Sequence, residues 1–347
     1  MTLDQLIAAL GYKGSPHFLR RDDGRFESEP GYGHIFRRGI DKTADDECKE
    51  RWRVEGVYGL RDANSTPERF VPVVYVCKAD DEPAAQSLHR LVWNQDVVPY
   101  VIVHDPKGVR VYAGFHYNAK GKTDPQRGVL QALTDFEHVQ SIIDLFNAKA
   151  IDDGKIWQNE QLQVDPSRRV YHQLLKDLRE LDKWLRGTGR LKKEVSHALI
   201  GKYVYLHYLR DRGILSNDRL TGMWGIQESE IFRATATKAA LEKLTDKLDN
   251  WLNGDIFPLS FSGPNAPTSE HVKRVAGVFA GDEIQDEHWQ PHLNFKAYDF
   301  SYIPIETLSL IYEQFLHAED DTDKKDKKKK TKGRSAGAYY TPLPLVN

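Results

Sequence analysis

Few side chains in this sequence are grouped in a way that could do chemistry. Asp80-Asp81-Glu82 sets three carboxylates in a row, a composition that could attract a metal ion. They stand directly before a helical pattern, where the helix dipole favours negative charge, so N-terminal capping explains them better. His197 and His207 fall inside one helical apolar pattern. Neither shares its face with partner ligands, which makes each a packing residue. Cys48 and Cys77 are too few for a zinc site or a disulfide framework. His89, Trp93, Asn94 and Gln95 gather at the end of a helical stretch and could line a groove; capping and packing is the plainer role. The pairs Arg20-Arg21 and Arg37-Arg38 could touch phosphate. Glu55, Asp62 and Lys78 flank two apolar runs, and what they can do depends on the elements that carry them.

Those elements follow from periodicity. Leu3–Leu10 reads as a short helix, and 14–39, rich in Gly, Pro, Arg and Asp, as loop. Trp52–Leu60 alternates as a strand does. Phe70–Cys77 and Val97–His104 are continuously apolar and β-branched, as expected of strands covered on both faces. Glu82–Trp93 lies between them as a helix. Asp105-Pro106-Lys107-Gly108 is a turn that makes Val109–Phe115 the second strand of a hairpin. Thr134–Ala150, Ser167–Leu185, Lys192–Gly213, Ala239–Leu252 and His271–Ala280 carry apolar residues three and four apart and read as helices. Asp299–Leu316 closes the helical region: Ile303-Pro304 reads as the entry of a helix, with Pro in its first turn, and Ile305, Leu308, Ile311, Tyr312 and Phe315 as its buried stripe. Short strands therefore give way to long helices between about Asp124 and Ile156. The expected organisation is an α/β domain over 1–130, an all-α domain over 131–318, a charged linker over 319–335 and the beginning of a further domain over 336–347. Glu319–Arg334 holds five acids, eight bases and no apolar residue, so it cannot bury enough surface to fold alone.

The strand, strand, helix, strand, strand order resembles the restriction-endonuclease-like core found in restriction subunits and at the N-terminus of type IIG enzymes. The resemblance implies an Asp, then Glu-x-Lys on the next strand, holding Mg2+, with the lysine polarising the phosphate and the attacking water. Lys78 stands as that lysine. The position two before it is Val76, which cannot ligate a metal, and neither Glu55 nor Asp62 has the expected spacing. The implied domain is a degenerate or architectural one, with Glu55, Asp62 and Lys78 as its remaining nuclease candidates.

A second resemblance lies towards the C-terminal end. Tyr298-Asp299-Phe300-Ser301, then Ile305-Glu306 with Ile311-Tyr312-Glu313, then Gly337-Ala338-Tyr339-Tyr340-Thr341-Pro342 resemble, in order and spacing, the region before the catalytic domain of DNA N6-adenine methyltransferases. The nearest groups are methylases of type I and type IIG restriction–modification systems and related phage-defence proteins. Leu199–Lys202 with Arg212–Leu215, and Leu252-Asn253-Gly254-Asp255-Ile256-Phe257, are similar to the helical connector and a turn of the same methylases, with Asp255 departing from the pattern. The resemblance implies S-adenosylmethionine as cofactor, contacted by Tyr339, Tyr340, Thr341 and Pro342. It implies double-stranded DNA as substrate, whose adenine must leave the stack, and specificity or restriction subunits as partners. The family's glycine-rich cofactor loop and its Asn/Asp-Pro-Pro-Tyr motif do not occur in these residues. The expectation is a chain cut as its catalytic domain begins and unable to methylate alone.

The bounds are compatible with this. The 347 residues are enough for two or three domains. No apolar run approaches a membrane span, and Met1–Tyr12 lacks the basic region and cleavage site of a signal peptide, so a cytoplasmic location without membrane contact is the default. The net charge of −2 decides nothing about nucleic acid, because DNA binding needs a local basic face. Basic residues concentrate in Lys183–Lys202 and Lys324–Arg334, which is compatible with phosphate contact; taken without the resemblance, a solvated helix face and a flexible linker are the plainer reading. Three functions stay open: part of an adenine methyltransferase, a metal-dependent nuclease, and a non-enzymatic DNA-binding or assembly module.

Overall fold

The computed structural model describes residues 1–22, 51–62, 69–117, 129–133, 139–158, 168–254, 257–281 and 295–317. The linker 319–335 and the candidate cofactor residues Tyr339, Tyr340, Thr341 and Pro342 lie outside them.

Among the described residues, six strands form one sheet in sequence order: β1 (Phe18–Arg20), β2 (Trp52–Asp62), β3 (Arg69–Ala79), β4 (Tyr100–Asp105), β5 (Gly108–Ala113) and β6 (Val129–Leu133). Neighbours are antiparallel except β3 and β4, which run parallel. A parallel pair needs a crossover, here helix α2 (Glu82–Gln95). The Asp81 side chain starts that helix by accepting the Ala84 N–H at 2.9 Å. Pro83 sits in the first turn, where a missing N–H costs nothing. Asp96, at φ 57°, ends it in the left-handed region.

Both sheet faces are covered, which is why β3 and β4 read as continuous apolar runs. Tyr75, Cys77, Val101 and Val103 pack with Ala85, Leu88 and Val92 of α2. On the opposite face, Val74, Val76, Tyr100 and Ile102 pack with Leu6, Ile7 and Leu10, the first two from helix α1 (Leu3–Ala9). Helices α3 (Val139–Phe146) and α4 (Ala148–Asp152) join this second face through Val139, Ile142, Phe146 and Ile151.

Helices α5 (Val170–Gly187), α6 (Lys193–Asp211), α7 (Ser229–Phe232), α8 (Lys238–Leu252), α9 (Ser269–Ala280) and α10 (Ile305–His317) form the second half. Leu174, Leu178, Leu181 and Leu185 of α5 meet Leu199, Tyr203 and Leu206 of α6 and Val272, Val275 and Phe279 of α9 in one core. Trp93 of α2 belongs to that core too, so one helix serves both halves. Gly201 lets α6 pass the Phe257 ring, for a Cβ there would lie 2.2 Å from it. Together the halves are an α/β mixture, and no described helix is long and apolar enough to cross a membrane.

Several sequence expectations change. β1 falls inside the stretch read as loop, and β6 was not expected. The single helix expected over Thr134–Ala150 is two: the Asn147 side chain accepts the Ala150 N–H at 2.9 Å and caps α4. These helices pack on the sheet, although the boundary expected at 130/131 places them with the helical half. Ile305 and Tyr312, expected in a buried stripe with Leu308 and Ile311, are 37% and 41% exposed, whereas Leu308 and Ile311 are buried. The side chain of Phe315, expected in the same stripe, lies outside the described residues.

Candidate functional site

The carboxyl ends of β3 and β4 are where a parallel pair with a crossover helix commonly presents a ligand site. Of the sequence candidates, Glu55, Lys78 and Asp80-Asp81-Glu82 come to this end, and Asp62 does not. Asp62 pairs with Arg69 at the far end of the β2–β3 ribbon, whereas Lys78 pairs with Arg53. At the rise of a strand, Asp62 stands about 20 Å from Glu55, too far to share an ion.

Glu55 falls where the β2–β3 register shifts, between the pairs Val54↔Cys77 and Gly56↔Val76. A bulge of this kind places an extra residue against its partner strand. Glu55 is 7% exposed, and its carboxylate accepts the Arg53 Nε–H at 2.7 Å. The Val76 side chain is fully buried in the core shared with α1. Lys78 is exposed and lies in register with Arg53 on one side and His104 on the other. A row of three basic side chains therefore crosses β2, β3 and β4 on one face. His104 Nε2 lies 2.9 Å from the Met1 carbonyl oxygen.

The other acids at this end are already engaged. Asp81 pairs with Arg51 besides capping α2. The Ala84 N–H first, and then Arg51, hold its carboxyl below the ordinary value. Asp105 is buried, pairs with Arg110 and accepts the backbone N–H groups of Lys107 at 2.7 Å and Gly108 at 3.1 Å. Arg110 also reaches Glu82 at 3.6 Å. Among the described residues no group of three or more His, Cys, Asp or Glu side chains could hold a metal ion. The described residues around Lys78 are a poor fit to Mg2+ on their chemistry: the Glu55 carboxylate is held by Arg53, and the position two before the lysine is a packed valine. Cys77 offers no nucleophile either, because burial pushes its thiol well up and the Glu55 charge adds to this.

The histidines behave as packing groups. His89 Nε2 lies 2.8 Å from the Ala113 carbonyl oxygen, and the ring stacks on Tyr112. Burial lowers its pKa to about 4. His207 is buried against Phe232 and Phe279 and is lowered to about 3 by the same cause. His197 faces Asp182 at 3.5 Å.

A second cluster, more deeply built, fastens the two halves together. Its centre is Tyr298-Asp299-Phe300-Ser301. The Tyr298 hydroxyl donates to Asp177 of α5 at 2.7 Å. The Asn94 side chain of α2 accepts the Asp299 N–H at 2.9 Å and donates to the Ala297 carbonyl at 2.8 Å. Asp211 of α6 accepts the Phe300 N–H at 3.1 Å. Arg212 donates to the Phe300 and Ile303 carbonyls at 3.3 and 3.0 Å. Beside it, Arg169 binds both carboxylate oxygens of Asp96 at 2.9 and 3.1 Å and lies over Phe115. Trp93 donates to the Arg168 carbonyl at 3.1 Å. Asn94 and Gln95, read as capping or groove residues, are thus buried, and Asn94 is a strut between layers. Reading the sequence missed Asp177 and Asp211. Asp177 left a signal: it interrupts the apolar arc of α5, where an acid is found only with a partner.

Burial, reinforced by the charge of Asp299, pushes Asp211 up to about 7. The folded chain then holds a proton that the unfolded chain releases near the ordinary 3.8. Folded binds more protons than unfolded between those values, so stability falls as pH rises through the window, by up to about 1.4 kcal/mol per pH unit. Asp211→Asn keeps an acceptor for Phe300 and removes the charge. Its melting temperature is expected to fall less than that of the parent between about pH 5 and about pH 8. Parallel curves for the two proteins would refute this.

In comparisons with protein families, curated proteins and solved structures, nothing matches this chain.

Proposed function

We propose that this chain is the N-terminal, DNA-engaging part of a DNA N6-adenine methyltransferase of a restriction–modification or phage-defence system. It would hold a catalytic domain against duplex DNA while a methyl group passes from S-adenosylmethionine to the adenine amino group. The observation that carries the proposal is the order and spacing of the three patches at 298–301, 305–313 and 337–342. The position of the first patch supports it: 298–301 is where the sheet half and the helical half are tied. A catalytic domain following α10 would have its placement set by that knot. The α/β half would be restriction-endonuclease-like, which its antiparallel strands, crossover helix and following parallel strand support. Specificity or restriction subunits would complete the assembly.

Tyr339, Tyr340, Thr341 and Pro342 would contribute backbone and the Thr341 hydroxyl to the methionine end of the cofactor. Residues 1–317 would orient that domain and contribute no reacting group. The coding sequence following Asn347, or a companion subunit, is expected to supply a glycine-rich loop and an Asn/Asp-Pro-Pro-Tyr/Phe motif. Finding both missing would defeat the proposal.

The nuclease reading has less support, because Glu55 is held by Arg53 and Val76 is buried. Incubation of the chain with supercoiled plasmid and Mg2+ is expected to leave the plasmid intact. Magnesium-dependent nicking that disappears in Lys78→Ala would restore that reading.

A further inference from the structure

We infer that the outer ridge of α5 is a backbone-binding surface for duplex DNA, an inference that rests on the reading of this chain as a DNA protein. At about 100° per residue, positions 172, 176, 179, 183 and 186 fall within about 80° of the helix circumference. They are His172, Lys176, Arg179, Lys183 and Arg186. All but Arg186 are exposed, and Arg186 is half-buried. The opposite arc holds Leu174, Leu178, Leu181 and Leu185 in the core. The helix is therefore divided lengthwise into an apolar side that fixes its position and a basic side that faces water.

Among the described residues, Lys176, Arg179 and Lys183 take part in no ion pair. Arg186 is tied inward to Asp182 at 2.9 Å. Asp182 in turn accepts from Ser196 at 2.7 Å, which holds the end of the ridge against α6. Beyond that end the turn into α6 continues the basic character with Arg190, Lys192 and Lys193. The acids interrupting it are Glu180, beside the ridge, and Glu194, in the first turn of α6. From Lys176 to Arg186 the ridge runs about 15 Å. Along that length a duplex presents a charge every 1.7 Å or so of its axis. A straight row of long cationic side chains on a rigid helix suits the phosphate backbone. It has no groove-reading element, so the contact is independent of base sequence.

The test is binding of the full chain to a labelled duplex, followed by fluorescence anisotropy over a series of salt concentrations. Substituting Lys176→Gln, Arg179→Gln and Lys183→Gln together is expected to weaken binding at low salt at least about tenfold. It should also lower the slope of log K against log salt by about 2–3, near 0.9 for each lost phosphate contact. The three side chains are exposed, so circular dichroism and thermal melting should match the parent. A control removes three exposed lysines elsewhere, Lys107→Gln, Lys155→Gln and Lys247→Gln; it is expected to leave the slope unchanged. Equal loss in ridge variant and control would show a net-charge effect and overturn the assignment, as would unchanged binding by the ridge variant. Absence of salt-dependent binding by the parent would overturn it too. The first two outcomes leave the methyl-transfer reading standing, whereas absence of binding by the parent would also remove the DNA-engaging role proposed for this chain. The methyl-transfer reading fails separately if neither the following coding sequence nor a companion subunit carries its motifs.

Discussion

Replacing Arg110 with methionine is expected to destabilise the fold by about 3–5 kcal/mol, the cost of leaving a buried charge without its partner. Arg110 is 5% exposed, and the carboxylate of Asp105 beneath it is wholly enclosed. The two backbone N–H groups that also reach Asp105 come from the tight turn after β4. They stabilise the charge only in part, because they do not neutralise it. Methionine keeps much of the arginine stem's volume, so the loss reports the charge rather than a cavity. Urea unfolding followed by tryptophan fluorescence gives the midpoint. Adding Asp105→Asn to Arg110→Met should recover part of the loss, since the orphaned charge is then gone. An unchanged midpoint in Arg110→Met would show that the pair contributes nothing.

Asn94→Ala is expected to cost about 2–4 kcal/mol, the penalty for stranding buried backbone groups together with the lost bonds. Asn94 is fully buried, and both ends of its amide are used by the chain around 298. Without it, the Ala297 carbonyl and the Asp299 N–H have no partner from α2. The effect should be local as well as global. Hydrogen exchange at the Asp299 and Phe300 amides should accelerate more than exchange in β3, because the knot between the halves opens before the sheet does. Equal acceleration everywhere would mean that Asn94 acts as an ordinary core residue.

What could be read from the sequence divides along physical lines. The buried strands β3 and β4 were legible because covering both faces demands a continuous apolar run. Helices α2, α5, α6, α8 and α9 were legible because a single buried face forces apolar residues three and four apart. Short edge strands were not: β1, of three residues, and β6, of five, take their conformation from a neighbour rather than from their own pattern. Gly56 marks the first of these, since a Cβ there would strike the Phe18 ring at 2.4 Å, but a glycine alone does not announce what it admits. The break at Asn147 was hidden because one side-chain cap decides it. At the candidate site, composition pointed to Lys78 and Glu55 and spacing already counted against them as metal ligands. The row Arg53, Lys78, His104 could not be seen, because it depends on register, and a one-residue slip in register exchanges the faces. The knot at Tyr298–Ser301 was visible as a patch of resemblance; its mechanical role needed Asn94 and Asp211, both distant in sequence.

The most direct measurement is transfer of labelled methyl from S-adenosylmethionine to adenine in duplex DNA. Three preparations are compared: residues 1–347, the polypeptide encoded after Asn347 or the companion subunit, and the two joined or mixed. If this chain positions a catalytic domain on DNA, neither part alone transfers methyl at an appreciable rate, the combination does, and Asn94→Ala in the combination lowers the rate. A catalytic part that methylates equally fast without residues 1–347, or a combination that transfers nothing, would contradict that role.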